Sequence, residues 1–275
     1  MSNADRSQYA EAVTTLSQEE LQDVISVAEP PVCLLGRWAV HLHVTDGFQE
    51  AHGRPYIGSR DIDLGVHIDS KWTKSEVRAA PAATTLDRIE SELSYHRGRF
   101  GFYRQFHRET GDRLTDEEAR SQPTHNIFRV DIDIIPDTTA LDTFQDTFGF
   151  RPPAEPLLAP VFTDDEGEAL DKYVSWTAPE AALIAPAASL AAMKIRAFPE
   201  RDKSHKQLKD LADLHALLWY TGEYGEMRST VRERVPDGDI GTFQEDVTEI
   251  LYQQAASLIG VDSTIVQQSI EQLFA

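Results

Sequence analysis

Residues 58–66 read Gly58-Ser59-Arg60-Asp61-Ile62-Asp63-Leu64-Gly65-Val66, and two carboxylates alternate there with aliphatic side chains directly after a Gly-Ser turn. In a strand, side chains at positions i and i+2 point to the same face of the sheet. The alternation therefore predicts a strand with Asp61 and Asp63 on one face and the apolar side chains on the other. Two carboxylates held this close repel each other unless a cation lies between them, and hard oxygen ligands suit Mg²⁺ or Mn²⁺. An ordinary acidic strand explains the same pattern in a chain this rich in acidic residues.

Two turns near this strand can bind phosphate through backbone N–H groups. Residues 32–35 predict a short buried strand, and Gly36 then opens a helix that we expect over 37–44. The N-terminus of a helix presents unpaired N–H groups and a partial positive charge, so it favours a phosphate. The turn at Gly58–Ser59 offers further N–H groups and the serine hydroxyl. A glycine that serves only as a turn residue is the alternative for Gly36.

A second acidic strand is predicted over Ile127-Phe128-Arg129-Val130-Asp131-Ile132-Asp133-Ile134-Ile135. An acid from this strand, placed beside Asp61 and Asp63 in a sheet, would complete a site of three carboxylates, which is about what two-metal phosphoryl chemistry needs. Asp131 and Asp133 share a face but lie about 6.5–7 Å apart along the strand, so only one of them can be central. We favour Asp131 and keep Asp133 as the alternative third metal ligand.

The charge of the chain is strongly negative, with 46 acidic against 26 basic residues and a net charge of −20. Only seven of the basic residues are lysines, a balance typical of proteins from high-salt cytoplasm, where salt screens the repulsion between carboxylates. Such a surface is a poor general binder of nucleic acid, so a polyanion would need a local basic patch. Four of the seven lysines lie between Lys194 and Lys209, together with Arg196, Arg201 and His205. This segment predicts a phosphate-facing surface, and a solvated helix face is the alternative.

The distribution of apolar residues predicts a mixed α/β half followed by a helical half, with the boundary near 150–175 and domains over 1–150 and 151–275. Besides the elements already named, the N-terminal half is expected to contain helices at 17–28 and 84–96 and a polar loop at 45–56. Further strands are expected at 100–107 and 126–135. Residues 136–171 are rich in Pro, Asp and Thr and predict a linker or a long excursion. The helical half is expected to contain four helices, at 178–198, 207–220, 242–258 and 263–274.

The single cysteine, Cys33, excludes an internal disulfide and a cysteine-based zinc cluster, and its apolar neighbours predict a buried side chain. The chain has no run of 18 apolar residues, and its first 20 residues are polar and acidic. We therefore expect no membrane association and no signal peptide, and a cytoplasmic protein.

Taken together, these motifs resemble the AbiEii-type branch of the polymerase-β-like nucleotidyltransferase superfamily. The resemblance runs from about residue 32 to 220, and 64–125 and the last 55 residues carry little of it. The segments that carry it are Gly36-Arg37-Trp38-Ala39, Gly58-Ser59-x-Asp61-x-Asp63, the third acidic strand, Leu190-Ala191-Ala192-Met193-Lys194, Arg201, and Lys209-Asp210-x-x-Asp213-Leu214.

The resemblance implies an α+β fold in which a small mixed sheet flanked by helices precedes a helical domain that completes the active-site cleft. It implies Mg²⁺-dependent transfer of a nucleotide from an NTP to a hydroxyl of an RNA such as tRNA, of a protein or of a small molecule. Members of this branch are typically toxins, which implies a cognate antitoxin as a partner.

Carried over by position, the catalytic residues are Asp61, Asp63, Asp131 and Lys194, and the metal ligands are Asp61, Asp63 and Asp131 or Asp133. The nucleotide-binding residues are Gly36, Arg37, Gly58, Ser59, Arg201, Lys209 and Asp210.

The chain departs from the family at Gly36-Arg37, where Gly-Gly or Gly-Ser is usual. The arginine either adds a phosphate-binding cation or weakens the approach of the backbone to the phosphate. This departure leaves open a catalytically silent binding or antitoxin-like module, against which the intact Asp61/Asp63 pair argues. A transferase that modifies a small molecule such as an antibiotic also stays open, because the sequence shows no broad basic groove.

Overall fold

The computed structural model describes residues 12–201 and 204–275, with side chains from residue 15 onward. The fold is mixed α+β, as the sequence predicts. Its contacts divide the described chain into two compact units. The sheet unit takes in the chain up to Trp38 and then Gly58–Ile184, and the helical unit comprises Ala39–Ile57 and Ala185–Ala275.

The sheet unit is built on one eight-stranded mixed sheet with the order β3-β4-β6-β2-β1-β8-β7, and β5 pairs with β4. The two central pairs, β2 with β6 and β1 with β8, are parallel, whereas β1 with β2 and β4 with β6 are antiparallel. The strands are β1 (Val32–Leu35), β2 (Asp61–Val66), β3 (His96–Arg97), β4 (Gly101–His107), β5 (Arg113–Leu114), β6 (Ile127–Pro136), β7 (Glu168–Ala169) and β8 (Ala182–Ile184).

Seven helices begin in the part of the sheet unit that the structure describes. They are α1 (Ala12–Val27), α2 (Gly36–His52), α3 (Lys74–Ala79), α4 (Pro81–Ser91), α5 (Asp116–Ser121), α6 (Asp142–Phe148) and α7 (Ala159–Thr163), with short 3-10 turns at Thr124–Asn126, Pro156–Leu158 and Leu170–Lys172. Helices α3 and α5 begin with complete capping boxes, because Thr73 and Thr115 exchange hydrogen bonds with Glu76 and Glu118. Each box satisfies N–H groups that a helix start otherwise leaves open.

One face of the sheet, which we call the reverse face, is buried. It carries Ile62, Leu64, Val130 and Ile132, each with no exposed surface. Arg104 lies opposite Val130 in the β4–β6 register and is also buried, because its guanidinium pairs with Glu20 of α1 at 2.6 Å. The Tyr95 hydroxyl donates to the same Glu20 oxygen at 2.6 Å.

The described part of the helical unit contains six further helices, with α9 at their centre. These are α8 (Ala187–Ala197), α9 (Ser204–Tyr220), α10 (Tyr224–Arg234), α11 (Asp237–Asp246), α12 (Glu249–Ile259) and α13 (Ser263–Glu271). Residues 210–218 of α9 are all buried, and α8, α10, α12 and α13 contact this helix. A helix buried on all sides is the centre of a helical core.

Several of the predicted helix boundaries are wrong. The helix expected over 37–44 continues to His52, so most of the expected loop over 45–56 is helical. Val44 and Phe48 lie one turn apart and are fully buried, and this apolar contact continues the helix. The helix expected over 242–258 is interrupted at residues 247–248, between α11 and α12.

The Ala-rich segment 178–198 is not one helix as expected. Residues Ala182–Ile184 form β8, which pairs parallel with β1, and the helix begins only at Ala187. Pro186 explains the break, since the residue before a proline is disfavoured in the helical region. The contacts divide the chain after Ile184, beyond the boundary expected near 150–175, and they assign Ala39–Ile57 to the helical unit as well.

The segment 136–171 is not a plain linker, because it contains α6, α7 and β7. The helix expected over 84–96 lies at 81–91 as α4, starting from a proline in its first turn. No helix in the described part of the chain is long and apolar enough to cross a membrane.

Candidate functional site

The four acidic residues predicted as metal ligands lie on one face of two neighbouring strands. Strands β2 and β6 are parallel, with Asp61 opposite Asp131 and Asp63 opposite Asp133. All four are half-buried and alternate with fully buried residues such as Ile62. Neighbouring strands lie about 4.8 Å apart, so these residues form a compact group, which we call the acidic face. The predicted sharing of one face is confirmed.

Gly36 is required by the position of the Asp63 side chain. A Cβ atom on Gly36 would lie 1.7 Å from Oδ2 and 2.5 Å from Cγ of Asp63, so a larger residue would force the Asp63 side chain to move. Gly36 also has a positive φ of 62°, which favours glycine, and it is the first residue of α2. The partial positive charge at this helix start stabilises the carboxylate. The Asp63 carboxylate lies against this turn, and the predicted contact of Gly36 with a phosphate stays a prediction.

The turn before β2 is held by two serines. The Ser59 hydroxyl accepts a hydrogen bond from the Asp61 N–H at 3.1 Å, and this fixes the start of the strand. Ser17 of α1, which is fully buried, donates to the Ser59 carbonyl at 2.6 Å. These contacts hold the Gly58–Ser59 turn beside the acidic face, and its predicted phosphate contact stays a prediction.

Arg37, which the sequence predicts as a phosphate-binding cation, lies in the first turn of α2 and is only 9% exposed. Its guanidinium is therefore mostly removed from solvent. Whether it contacts a nucleotide stays a prediction.

The sequence reasoning missed Arg129, which pairs directly with Asp131. Its Nε and Nη2 lie 2.8 and 2.6 Å from Oδ1 of Asp131, and its guanidinium lies 4.1 Å from the centre of the Tyr103 ring. Tyr103 is opposite Asp131 in the β4–β6 register. The alternation of β6 could have revealed Arg129, since it precedes Asp131 by two residues and so shares its face.

Next to Arg129, Asp116 connects two side chains of β4. The Tyr103 hydroxyl donates to both Asp116 oxygens at 3.1 Å, and Gln105 Nε2 donates to Oδ1 at 3.0 Å. Partial burial and this hydrogen bond raise the pKa of Tyr103. We call the group of Tyr103, Gln105, Asp116 and Arg129 the polar shelf. It adjoins the acidic face on the same side of the sheet.

The acidic face fits a Mg²⁺ ion in its chemistry, because four carboxylates supply the hard oxygen ligands that this ion prefers. In residues 12–201 and 204–275, however, no group of three or more His, Cys, Asp or Glu side chains is already arranged to hold a metal ion. The close convergence of three carboxylates therefore stays a prediction.

In the helical unit, Lys194 belongs to a network of paired charges, which we call the Lys194 network. Its Nζ lies 3.1 Å from Oδ1 of Asp210 and 2.7 Å from Oδ2 of Asp213. Arg201 Nε lies 2.7 Å from the second Asp210 oxygen, and the Tyr56 hydroxyl donates to Asp213 at 2.9 Å. Lys194 is 11% exposed and the two carboxylates 6% or less. Two cations thus face two anions, and these contacts bind α8 to α9.

The other cations of the lysine-rich segment do not share one environment. Lys206 and His205 are exposed, Lys209 is half-buried, and Lys203 lies outside the described residues. Lys194, by contrast, points into the helical core. A contact of Lys194, Arg201, Lys209 or Asp210 with a nucleotide stays a prediction.

Comparison of the chain with protein-family models, with curated proteins and with solved structures gives no match. The likeness to polymerase-β-like nucleotidyltransferases therefore rests on the quoted motifs.

Proposed function

We propose that the protein is a Mg²⁺-dependent nucleotidyltransferase of the polymerase-β-like type, which moves a nucleotide from an NTP to a hydroxyl of an RNA, such as tRNA, or of a protein. The observation that carries the proposal is the β2–β6 register, which sets Asp61 opposite Asp131 and Asp63 opposite Asp133 on one face. Paired carboxylates on adjacent strands beside a Gly-Ser turn are the arrangement that the motif resemblance implies.

The acidic residues would have two roles, metal binding and acceptance of a proton. Asp61, Asp63 and one acid of β6 would hold Mg²⁺, which when bound neutralises triphosphate charge and lowers the pKa of a hydroxyl. Asp131 would accept the proton of the acceptor hydroxyl. The hydroxyl oxygen then forms a bond to the α-phosphorus, while the bond from that phosphorus to the bridging oxygen breaks and pyrophosphate leaves with the electron pair.

The remaining residues would position the triphosphate. The Gly58–Ser59 turn is fixed by hydrogen bonds to Asp61 N–H and Ser17, so its N–H groups are oriented before a ligand arrives. Such preorganised donors supply most of the rate acceleration in phosphoryl transfer, because they need no reorganisation during the reaction. In the toxin interpretation, a cognate antitoxin would bind the protein.

The test is incubation with each α-labelled NTP, Mg²⁺ and total RNA, followed by detection of labelled product. Asp61→Asn and Asp63→Asn should each lower product formation by about 100-fold or more, since each removes a ligand that acts in the transition state. Asp87→Asn, on the exposed face of α4, is the matched control and should leave product formation unchanged. Equal product from wild type and Asp61→Asn would refute the proposal.

A catalytically silent binding module is the second candidate, and one observation favours it. Arg129 holds an oxygen of Asp131, and two carboxylates hold Lys194, so two of the expected catalytic groups are engaged with other side chains. Binding of NTP by wild type without any labelled product would support this alternative. Transfer to an aminoglycoside or a similar hydroxyl compound, but not to RNA or protein, would indicate the small-molecule alternative.

A further inference from the structure

The polar shelf lies beside the acidic face on the same side of the sheet. In the antiparallel β4–β6 pair, Tyr103 is opposite Asp131 and Gln105 is opposite Arg129. Residues opposite each other in such a pair point to the same face, with Cα atoms about 4.5–5.5 Å apart. Whatever binds at Asp131 therefore lies within reach of the Tyr103 ring and the Arg129 guanidinium.

The shelf is ordered by its own contacts. The Arg129 guanidinium is fixed at one end by Asp131 and stacks on the Tyr103 ring at 4.1 Å. Tyr103 is in turn fixed by its hydroxyl on Asp116, and the His96 ring lies 5.5 Å away at an angle of 36°. A planar group held from several sides loses little conformational entropy when a ligand binds.

The Arg129 side chain is nevertheless 46% exposed. A guanidinium with one side on an aromatic ring and much of its surface in solvent can stack a second planar ring on its open side. Nucleobases stack on arginine planes and on aromatic side chains in this way. A local cation also offsets the repulsion that a protein of net charge −20 exerts on a nucleotide.

We propose that the polar shelf binds a nucleobase, stacked on Arg129 and supported by Tyr103. This proposal rests on the proposed function, because it takes its ligand from nucleotide transfer at the acidic face. The base belongs either to the incoming NTP or to the end of an acceptor RNA, and both present the same planar ring.

A competing explanation is that Arg129 only neutralises Asp131. Arg129→Lys separates the two explanations, since lysine keeps the positive charge but lacks the planar group that stacks. Tyr103→Leu removes the supporting ring and leaves Arg129 in place. Arg78→Lys, an exposed substitution on α3, is the matched control.

The experiment is isothermal titration calorimetry with Mg²⁺ and three probes: a non-hydrolysable analogue of each NTP, a single-stranded RNA hexamer with a free 3′ hydroxyl, and tripolyphosphate, which has no base. Arg129→Lys and Tyr103→Leu should weaken binding of a base-containing probe by about fivefold to tenfold, which corresponds to the loss of one stacked base. Binding of tripolyphosphate should not change, and Arg78→Lys should match wild type throughout.

The outcomes identify the source of the base. Weaker binding of the NTP analogue alone assigns the shelf to the incoming nucleotide, and weaker binding of the hexamer alone assigns it to the acceptor. The proposal is overturned if wild type binds neither probe or if Arg129→Lys binds both within twofold of wild type. Loss of the proposed function has a different signature, namely no effect of Asp61→Asn on labelled product while the shelf variants still weaken binding.

Discussion

The two faces of the sheet both carry charged side chains, but they do so in different surroundings. On the reverse face, Arg104 and Glu20 are about 95% buried and pair at 2.6 Å. On the acidic face, Asp131 and Arg129 pair at the same distance while 35% and 46% of their side-chain surfaces remain exposed. A buried charge must be matched because it has lost its hydration, whereas a half-exposed charge keeps part of it and can exchange partners. The reverse face is therefore built for stability, and the acidic face can accept ligands.

The largest expected effect comes from breaking the pair on the reverse face. Arg104→Met removes the close cation of the buried Glu20 carboxylate and leaves only the more distant Arg113, 58% exposed, at 3.8 Å. We therefore expect the free energy of unfolding to fall by about 3–5 kcal/mol. Urea denaturation followed by circular dichroism measures this. Arg129→Met, which breaks the matched pair on the acidic face, should cost only about 0–1 kcal/mol. Similar losses in the two variants would remove the contrast between the faces.

Sequence reasoning predicts both faces of β2 but misses the charged pair on the reverse face, for a physical reason. Alternation over β2 and β6 places the acidic face, because a period of two fixes which side chains share a face. Arg104 occupies a position where the same alternation predicts an apolar residue. Only its distant partner Glu20, 84 residues away in sequence, makes its burial possible.

Two other features depend on contacts that no local pattern contains. The close approach of Asp63 to Gly36 requires the antiparallel β1–β2 pairing, in which Leu35 lies opposite Asp63. The inward direction of Lys194 requires the two carboxylates of α9. The scarcity of lysine singles out the segment 194–209, but it does not distinguish a phosphate-binding surface from a buried charge network.

The Lys194 network tests whether a buried cation that already pairs with carboxylates can also bind a ligand. Lys194→Ala leaves Asp210 and Asp213 without a shared cation, so we expect a loss of about 3 kcal/mol in unfolding free energy. If Lys194 also contacts the triphosphate, the variant raises the KM for NTP and lowers kcat, together about 2–4 kcal/mol in kcat/KM. Steady-state kinetics are measured below the melting temperature of the variant. Lys71→Ala is the control and should change neither stability nor kinetics.

A destabilised Lys194→Ala variant with the kcat/KM of wild type would assign the network to folding alone. In both units, buried paired charges would then stabilise the fold and only half-exposed charges would bind ligands.

The acidic face itself should respond to a divalent ion. Saturating Mg²⁺ should raise the melting temperature of wild type by about 2–4 °C, because the ion binds only the folded site. Asp61→Asn/Asp63→Asn should lose this shift, and its melting temperature without metal should not fall, since the substitutions remove like-charge repulsion. Differential scanning fluorimetry gives both values. Equal stabilisation of the two proteins would show that the ion acts on the general acidic surface.

The smallest expected effect concerns the pair of His67 and Asp137. Its exposure is intermediate between those of the two pairs above, because one partner is buried and the other is partly exposed. His67 follows β2, and its Nδ1 lies 2.6 Å from Oδ2 of Asp137, whose other oxygen accepts the Ile68 N–H at 2.9 Å. The Asp137 side chain is 3% exposed and that of His67 32%. The hydrogen bond to Asp137 is the main cause that raises the pKa of His67, burial opposes it, and the charges of Asp137 and Asp69 add to the increase.

Because the folded state binds this proton more tightly than the unfolded chain, the pair stabilises the fold fully below the unfolded histidine pKa of about 6.5. The contribution is lost as the pH rises through the higher pKa of the folded state. We therefore expect the difference in unfolding free energy between wild type and His67→Gln to be larger at pH 6 than at pH 8.5, by less than about 1 kcal/mol for a partly exposed pair. Urea denaturation at both pH values measures it, with the exposed His125→Gln as the control. A difference that does not vary with pH would mean that Asp137 binds a neutral imidazole. The contact would then be a structural hydrogen bond and not an ion pair.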